Sequence, residues 1–356
     1  MRINIFKYHI IRHITIFCIT GILSITLLKA QDVQFSQYMN AIHYLNPAMG
    51  SISPYTTFHA NHRTQFTGLH EPYTSYYFSA NTPVTVKGIR DSHIGSIGMN
   101  AVQDEAGATG FSTTIANINL SYRVPLSGDE LHNLYFGLSG GFWQQRFQQG
   151  NIITGSQYQG TNDAGGSYQL PDGYNDQYLS PEINGGISWS FNPEKNDLES
   201  DFNIEAGLSF RQINRVDHAF GNTSRVSRMY NAHAGVTFHA TPRTHFTVRG
   251  LNSYIQGSHH VIAGAEMHSF IIDEHTTFVP NYVSGGCYYR FNDAIVPVLA
   301  VGNDYYRIGF SYDAFRSYQE LAGIANHTYE IALTFILYKK EGEKVVNQPR
   351  YIRDVL

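Results

Sequence analysis

Hydrophobic and polar residues alternate one by one along most of this chain, and few folds can use such a pattern. A period of two belongs to strands whose two faces meet unlike surroundings. Asp201 to Arg211 shows it most cleanly. Phe202, Ile204, Ala206, Leu208 and Phe210 lie on one face, and Asn203, Glu205, Gly207, Ser209 and Arg211 on the other. Ile183 to Phe191 sets Ile183, Ile187, Trp189 and Phe191 against Asn184, Gly186, Ser188 and Ser190. Tyr230 to His239 and Ala116 to Val124 divide in the same way, with His233 and Arg123 on their polar faces.

The alternation marks about fourteen strands. They centre near Phe58, Tyr77, Ile97, Ile118, Leu138, Ile187, Ala206, Val236, Val248, Gly264, Tyr282, Val298, Gly309 and Leu333. Several reach about ten residues, the length a tilted strand needs to cross a bilayer. Turn-forming clusters separate them, among them Ser127-Gly128-Asp129, Ala240-Thr241-Pro242 and Gly257-Ser258. The acidic pairs Asp104-Glu105 and Asp273-Glu274 fall where turns belong and read as solvated. Gln148 to Ser180, rich in Gly, Asn, Gln, Asp and Tyr, reads as a long polar loop, and residues 213–228 as a second. Helical heptads and solenoid periods are missing from the pattern.

The first thirty residues follow another rule. Arg2, Lys7 and Arg12 precede an apolar run from Ile14 to Leu28, and Leu28-Lys29-Ala30 leads into a polar stretch at Gln31. That is the order of a secretory signal peptide, residues 1–30, and the run is short of the roughly 20 residues of a spanning helix. Cys287 is then the one remaining cysteine, so an internal disulfide is impossible. No later stretch offers 18 uncharged apolar residues in a row, which excludes a helical membrane protein. A net charge of −4 gives no basic footprint for nucleic acid.

A soluble sandwich and a membrane barrel both have one apolar face. Two features favour the membrane. The apolar faces mix Ala and Gly with larger residues, which suits lipid better than a close-packed core. Aromatics gather at strand ends (Tyr76-Tyr77-Phe78, Tyr288-Tyr289, Tyr305-Tyr306), like the girdles of membrane interfaces. Charged residues make up 15% of the chain against about 25% in ordinary domains. The Arg, Glu and His of the polar faces belong in a water-filled lumen. The expected fold is a closed antiparallel transmembrane β-barrel of about fourteen strands over residues 54–338. A segment, 31–53, precedes it in the periplasm, and a periplasmic tail, 339–356, follows.

Motifs for chemistry are weak. Gly137-Leu138-Ser139-Gly140-Gly141 has the form G-x-S-x-G, but that motif needs a strand-to-helix turn, and here it lies within an alternating run. His59 and His62 are three apart, so on a strand they point to opposite faces. Phosphate-loop and dinucleotide fingerprints are absent. No catalytic residue, cofactor or metal is expected.

Several strings resemble the PorP/SprF family, outer-membrane proteins of the type IX secretion system. Gln31-Asp32-Val33-Gln34-Phe35-Ser36-Gln37-Tyr38-Met39, with Tyr44-Leu45-Asn46-Pro47-Ala48, resembles the family's opening. Arg63-Thr64-Gln65-Phe66-Thr67-Gly68 is similar to its Arg-x-Gln-aromatic-x-Gly segment, with Phe66 where Trp is frequent and Thr67 where Pro is. Ser311-Tyr312-Asp313 and Tyr329-Glu330-Ile331-Ala332-Leu333 resemble its ending. The resemblance runs from about residue 31 to 338 and leaves 148–180 and 213–228 unaligned. It implies a non-enzymatic role in secretion. The barrel would bind or anchor an exported cargo protein or gliding adhesin at the cell surface through its C-terminal sorting domain. Outer-membrane lipid and periplasmic parts of the secretion machine would be further partners. The motif residues that would serve structure or partner binding are Gln34, Phe35, Ser36, Gln37, Tyr38, Asn46, Pro47, Ala48, Arg63, Gln65, Ser311, Tyr312, Asp313 and Glu330.

The alternatives are a passive pore for small solutes and a barrel lipase with Ser139 as nucleophile. An open lumen would favour the pore, and a plugged one the docking barrel. Phe35, Tyr38, Tyr44 and Leu45 would be poorly solvated in a free linker. Residues 31–53 are therefore expected to pack into the periplasmic end of the lumen, with Asp313 as an acceptor on its lumen face.

Overall fold

The computed structural model describes residues 33–337 except 70, 87–92, 108–109, 129, 147–176, 193–201, 215–216, 219–223, 226–227, 242, 256, 272–277 and 316–326. The expected signal peptide, the tail 339–356 and most of the long polar loop lie outside the described residues. Within them fourteen strands form one closed antiparallel barrel. They are β1 Thr56–Gln65, β2 Tyr73–Val84, β3 Gly95–Ala106, β4 Phe111–Pro125, β5 His132–Arg146, β6 Gln177–Phe191 and β7 Phe202–Arg211. The circle continues with β8 Met229–Thr241, β9 Thr244–Ile255, β10 Ser258–Phe270, β11 Tyr282–Arg290, β12 Ala294–Gly302, β13 Tyr306–Phe315 and β14 Thr328–Leu337. Sequential strands pair, and β1 closes on β14 with Thr56 opposite Leu337 and Arg63 opposite Glu330. Closure gives every strand a partner on both sides, as lipid demands of the part that crosses.

The faces are those the alternation requires. In β7, Phe202, Leu208 and Phe210 are exposed on the outside, while Asn203, Glu205, Ser209 and Arg211 are buried within. β12 departs from the pattern. Ala294, Val296, Val298 and Ala300 face inward and are buried, although Ile295 and Leu299 outside are apolar too. A strand apolar on both faces has dry packing on both.

Several finer expectations need correction. Residues 177–180 belong to β6, because the alternation of Tyr178 and Ser180 with Leu179 continues that strand above its neighbour. Asp104 and Glu105 lie in β3, where Asp104 accepts from the Ser75 hydroxyl at 2.5 Å. The turn follows them, with Gly107 and Gly110 at positive φ. Of the expected girdle aromatics, Tyr77 and Tyr288 point into the barrel, since alternate residues of one strand cannot share a face.

The barrel has two unlike ends. The near end holds the start of β1 and the finish of β14, with connections such as 242–243 and 303–305. From the far end leave 147–176 and 212–228, the longest connections, the latter carrying a small ribbon of Asp217–His218 with Ser224–Arg225.

Candidate functional site

The residues before β1 form three short helical turns, Tyr38–Asn40, Ile42–Leu45 and Pro47–Ser51. Their side chains are almost all buried, and they lie inside the barrel. Local chemistry shapes the last turn. The Asn46 side chain accepts from the Ala48 amide at 3.0 Å, and Pro47 occupies the first position, where its missing N–H costs nothing. The apolar side of the segment (Tyr38, Ile42, Leu45, Met49, Ile52) packs in one cluster with Ile262, Tyr288, Val296, Val298 and Ile336 of the wall. This contact is why β12 is apolar within.

The wall is shaped to take the segment. A Cβ on Gly137 would stand 2.1 Å from the Ala48 nitrogen, and one on Gly186 2.0 Å from Asn46 Oδ1. Only bare backbone leaves room there. Against this patch Asn46 Nδ2 donates to the carbonyls of Ile187 (3.1 Å) and Leu208 (3.3 Å) and meets His233 Nε2 at 3.2 Å. Leu45 O accepts from the Ser209 hydroxyl at 2.5 Å.

At the start of the segment sits a buried charge network. The Ser36 hydroxyl accepts from Arg63 Nη1 (2.5 Å) and Arg290 Nη2 (2.7 Å) and donates to Asp313 Oδ1 (2.7 Å). Asp313 Oδ2 is bridged by Arg63 at 2.7 Å and Arg290 at 2.9 Å. The amides of Ser36 and Gln37 donate to the two oxygens of Glu330, at 2.6 and 3.1 Å, and Asn61 Nδ2 adds a bond of 2.7 Å. Arg63 and Arg290 thus face the buried carboxylates of Asp313 and Glu330 with Ser36 between them, and Arg290 also reaches the partly exposed Asp293 at 3.0 Å, so that each buried carboxylate has a cation beside it. Such pairing is what makes buried charge tolerable. A second anchor lies across the lumen, where Arg211 pairs with buried Glu182 at 3.1 Å and stacks 3.9 Å over the Tyr44 ring. Gln37 also faces Arg307 at 3.4 Å, which reaches Glu266 at 3.3 Å.

The position of this network corrects the expected depth. Arg63, Arg290 and Asp313 lie toward the far ends of their strands, and Ser51 meets Ser121 and His93 at the near end. The segment therefore runs through the depth of the lumen and is not confined to its periplasmic end. The water-filled lumen expected from the polar faces is, along this path, packed with chain.

The structure brings several of the motif residues together. Ser36, Gln37, Arg63, Ser311, Asp313 and Glu330 meet in one place, Gln37 Nε2 donating to the Ser311 hydroxyl at 3.4 Å. Gln65 lies beside the Arg63 guanidinium, where rotating its amide by 180° would let its oxygen accept from Nε at 2.5 Å. Asn46, Pro47 and Ala48 form the capped turn on the glycine patch. Phe35 packs against Tyr44 and Tyr77, Tyr38 against Tyr288, and Gln34 is half-buried. Tyr312 does not join them. It lies on the outer face, its hydroxyl 2.6 Å from His327 Nδ1. The alternation places Arg211 on the polar face, without a partner, and Arg290, Asn61 and Glu182 were not singled out in the sequence. Their one signal is parity, since each falls on the polar face of its strand.

Ser139 is buried on the lumen face, its hydroxyl accepting from Asn184 Nδ2 at 3.0 Å. His59 points inward and His62 outward against Tyr76.

Residues 27–335 match the family described as type IX secretion system membrane protein PorP/SprF. The chain belongs to the PorP/SprF family. The description names a membrane protein, and this PorP/SprF chain crosses with the strands of a closed barrel, the form used in the outer membrane, where it resides. None of the curated proteins is a recognisable sequence relative. Among solved structures it is similar to the toluene transporter TbuX of Ralstonia pickettii, with 10% identity, 82% of this chain and 92% of that one covered, and a TM-score of 0.46. The CymD monoaromatic hydrocarbon channel gives 9% identity, 88% and 96% coverage and 0.45, and the KdgM porin 6%, 79% and 99%, and 0.35. At these scores the likenesses carry no argument about what this PorP/SprF chain does.

Proposed function

We propose that this barrel is a docking component of type IX secretion that holds an exported protein at the cell surface through that protein's C-terminal sorting domain. The observation that carries the reading is the filled lumen. A passive pore needs an unobstructed path, and here the polar inner wall is engaged by the chain's own residues 34–52. Surface left for a partner lies at the far end, where the long connections leave the wall. The near end then faces the periplasm and the rest of the machine. The lipase reading is set aside, because Ser139 is turned into the lumen and hydrogen-bonded there.

Deletion of the gene, followed by comparison of surface-bound and released proteins, tests the proposal. One or a few exported proteins bearing a sorting domain should move from the cell surface to the medium. An unchanged surface, together with steady ion conductance by the purified barrel, would support the pore instead.

A further inference from the structure

The rim of the barrel has a step. β6 pairs with β5 along its whole length, from Gln177 opposite Arg146 to Phe191 opposite His132. With β7 it pairs only from Gly185 to Phe191. The chain leaving β7 covers the lower part of the gap. Gln212 N donates to Asn184 Oδ1 at 2.9 Å and Ile213 N to Ile183 O at 2.9 Å. Asn214 accepts from the Ile183 amide at 3.1 Å and donates to Pro181 O at 2.7 Å. Above Pro181, none of the described residues pairs with β6 on this side. Four residues, Gln177 to Ser180, remain as an edge of about 13 Å that is open among the described residues. A crossing takes about 9–11 residues, so the start of this fifteen-residue strand stands clear of the hydrocarbon.

The direction of the backbone groups follows from the cap. Both backbone groups of Ile183 engage residues 213–214. By alternation the groups of Pro181, Leu179 and Gln177 face the same side. Pro181 has no N–H to lose there. Leu179 and Gln177 each present a donor and an acceptor. Leu179 is 59% exposed on the outside, and Tyr178 packs near Trp143 on the inside. Proteins shield open edges because another strand will add to them. Here the edge is sealed at its foot by Asn214 and Pro181 and open above, which gives an added strand a defined end.

We propose that an extended segment of the exported partner adds to this edge as an antiparallel strand, with apolar side chains beside Leu179 and the Tyr178–Trp143 pair. This rests on the docking reading given above. Main-chain bonds would supply affinity and the flanking side chains selectivity. A second copy fits less well. Two barrels in one membrane related by an axis along the normal run their β6 strands in the same direction, which allows only the weaker parallel pairing. A free segment can take either direction.

The test uses the protein that gene deletion displaces from the surface. Leu179→Pro removes an edge donor that points away from β5, so the β5–β6 ladder stays intact. Surface retention of that protein should fall about tenfold, while Leu179→Ser, which keeps the amide, retains it. Gln177→Pro, at the strand's first residue, carries the same test if Leu179→Pro fails to show the heat-modifiable mobility of a folded barrel. Amide hydrogen exchange at Gln177 and Leu179 gives a direct reading. It should be fast in the purified barrel and slow once the sorting domain of that protein is bound. Full retention by a folded proline variant overturns the edge proposal and leaves the docking reading standing. Amides already protected in the barrel alone would mean that the chain covers its own edge, which also overturns it. If deletion displaces no exported protein, the docking reading itself fails.

Discussion

Ser36 is a small residue with a large share in the arrangement. Its hydroxyl has one donor and two acceptor sites, and all three are used, by Asp313, Arg63 and Arg290. Around it each buried carboxylate has a cation beside it. Removing Arg63 leaves Glu330, 3.6 Å from it, in a dry place with its cation gone, which costs about 3–5 kcal/mol. Arg63→Met should therefore lower the stability of the purified barrel by about that amount in urea unfolding. Tyr312→Phe, from the same motif set but on the outer face, should change little. If Arg63→Met unfolds at the wild-type midpoint, the network does not hold the segment.

At the scale of the element, each strand separates lipid from lumen by parity alone. β7 makes the clearest case, with Leu208 outside and Glu205 and Arg211 inside. Leu208→Arg should destabilise the folded barrel in bilayers by roughly 2–4 kcal/mol if Leu208 lies near the midplane. Refolding titrations into lipid vesicles measure it, and wild-type stability would refute the face assignment. The luminal segment obeys different rules. Its three turns are too short to be stable helices in water. They persist because the wall supplies apolar contacts, polar partners and a glycine patch on which Asn46 to Ala48 can rest.

For the molecule as a whole, the segment decides whether the barrel is a conduit. Deleting residues 31–50 should leave the barrel inserted, since every wall strand lies beyond them. The inner network would lose Ser36, Gln37, Tyr44 and Asn46 at once. The deleted protein should melt at a lower temperature and conduct ions in planar bilayers. Unchanged conductance, melting temperature and surface retention of cargo would reduce the segment to a leader.

Much of this was legible in the sequence because a strand's pleat has a period of two and needs no distant partner to express it. The existence of all fourteen strands, though not every centre (Tyr282 is the first residue of β11 and Ile97 lies near the start of β3), the orientation of Leu208 and Glu205, and the inward turn of Ser139 follow from that local rule. Asp313 could be placed on the lumen face by parity, and Phe35 and Tyr38 marked as residues that must be buried somewhere. The rest depended on closure. Ser36 and Asp313 are 277 residues apart, and they meet because β1 pairs with β14 and the segment before β1 turns inward. Arg290 joins them for the same reason, and nothing near it in the chain announces it. Strand length hid the step at Gln177, because polar, aromatic-rich strand above a membrane reads like loop. The sequence by itself thus determined the barrel and the faces of its wall, since alternation is local. Tertiary structure alone decided that the lumen is filled and where its charges pair, since those depend on which distant residues closure brings together.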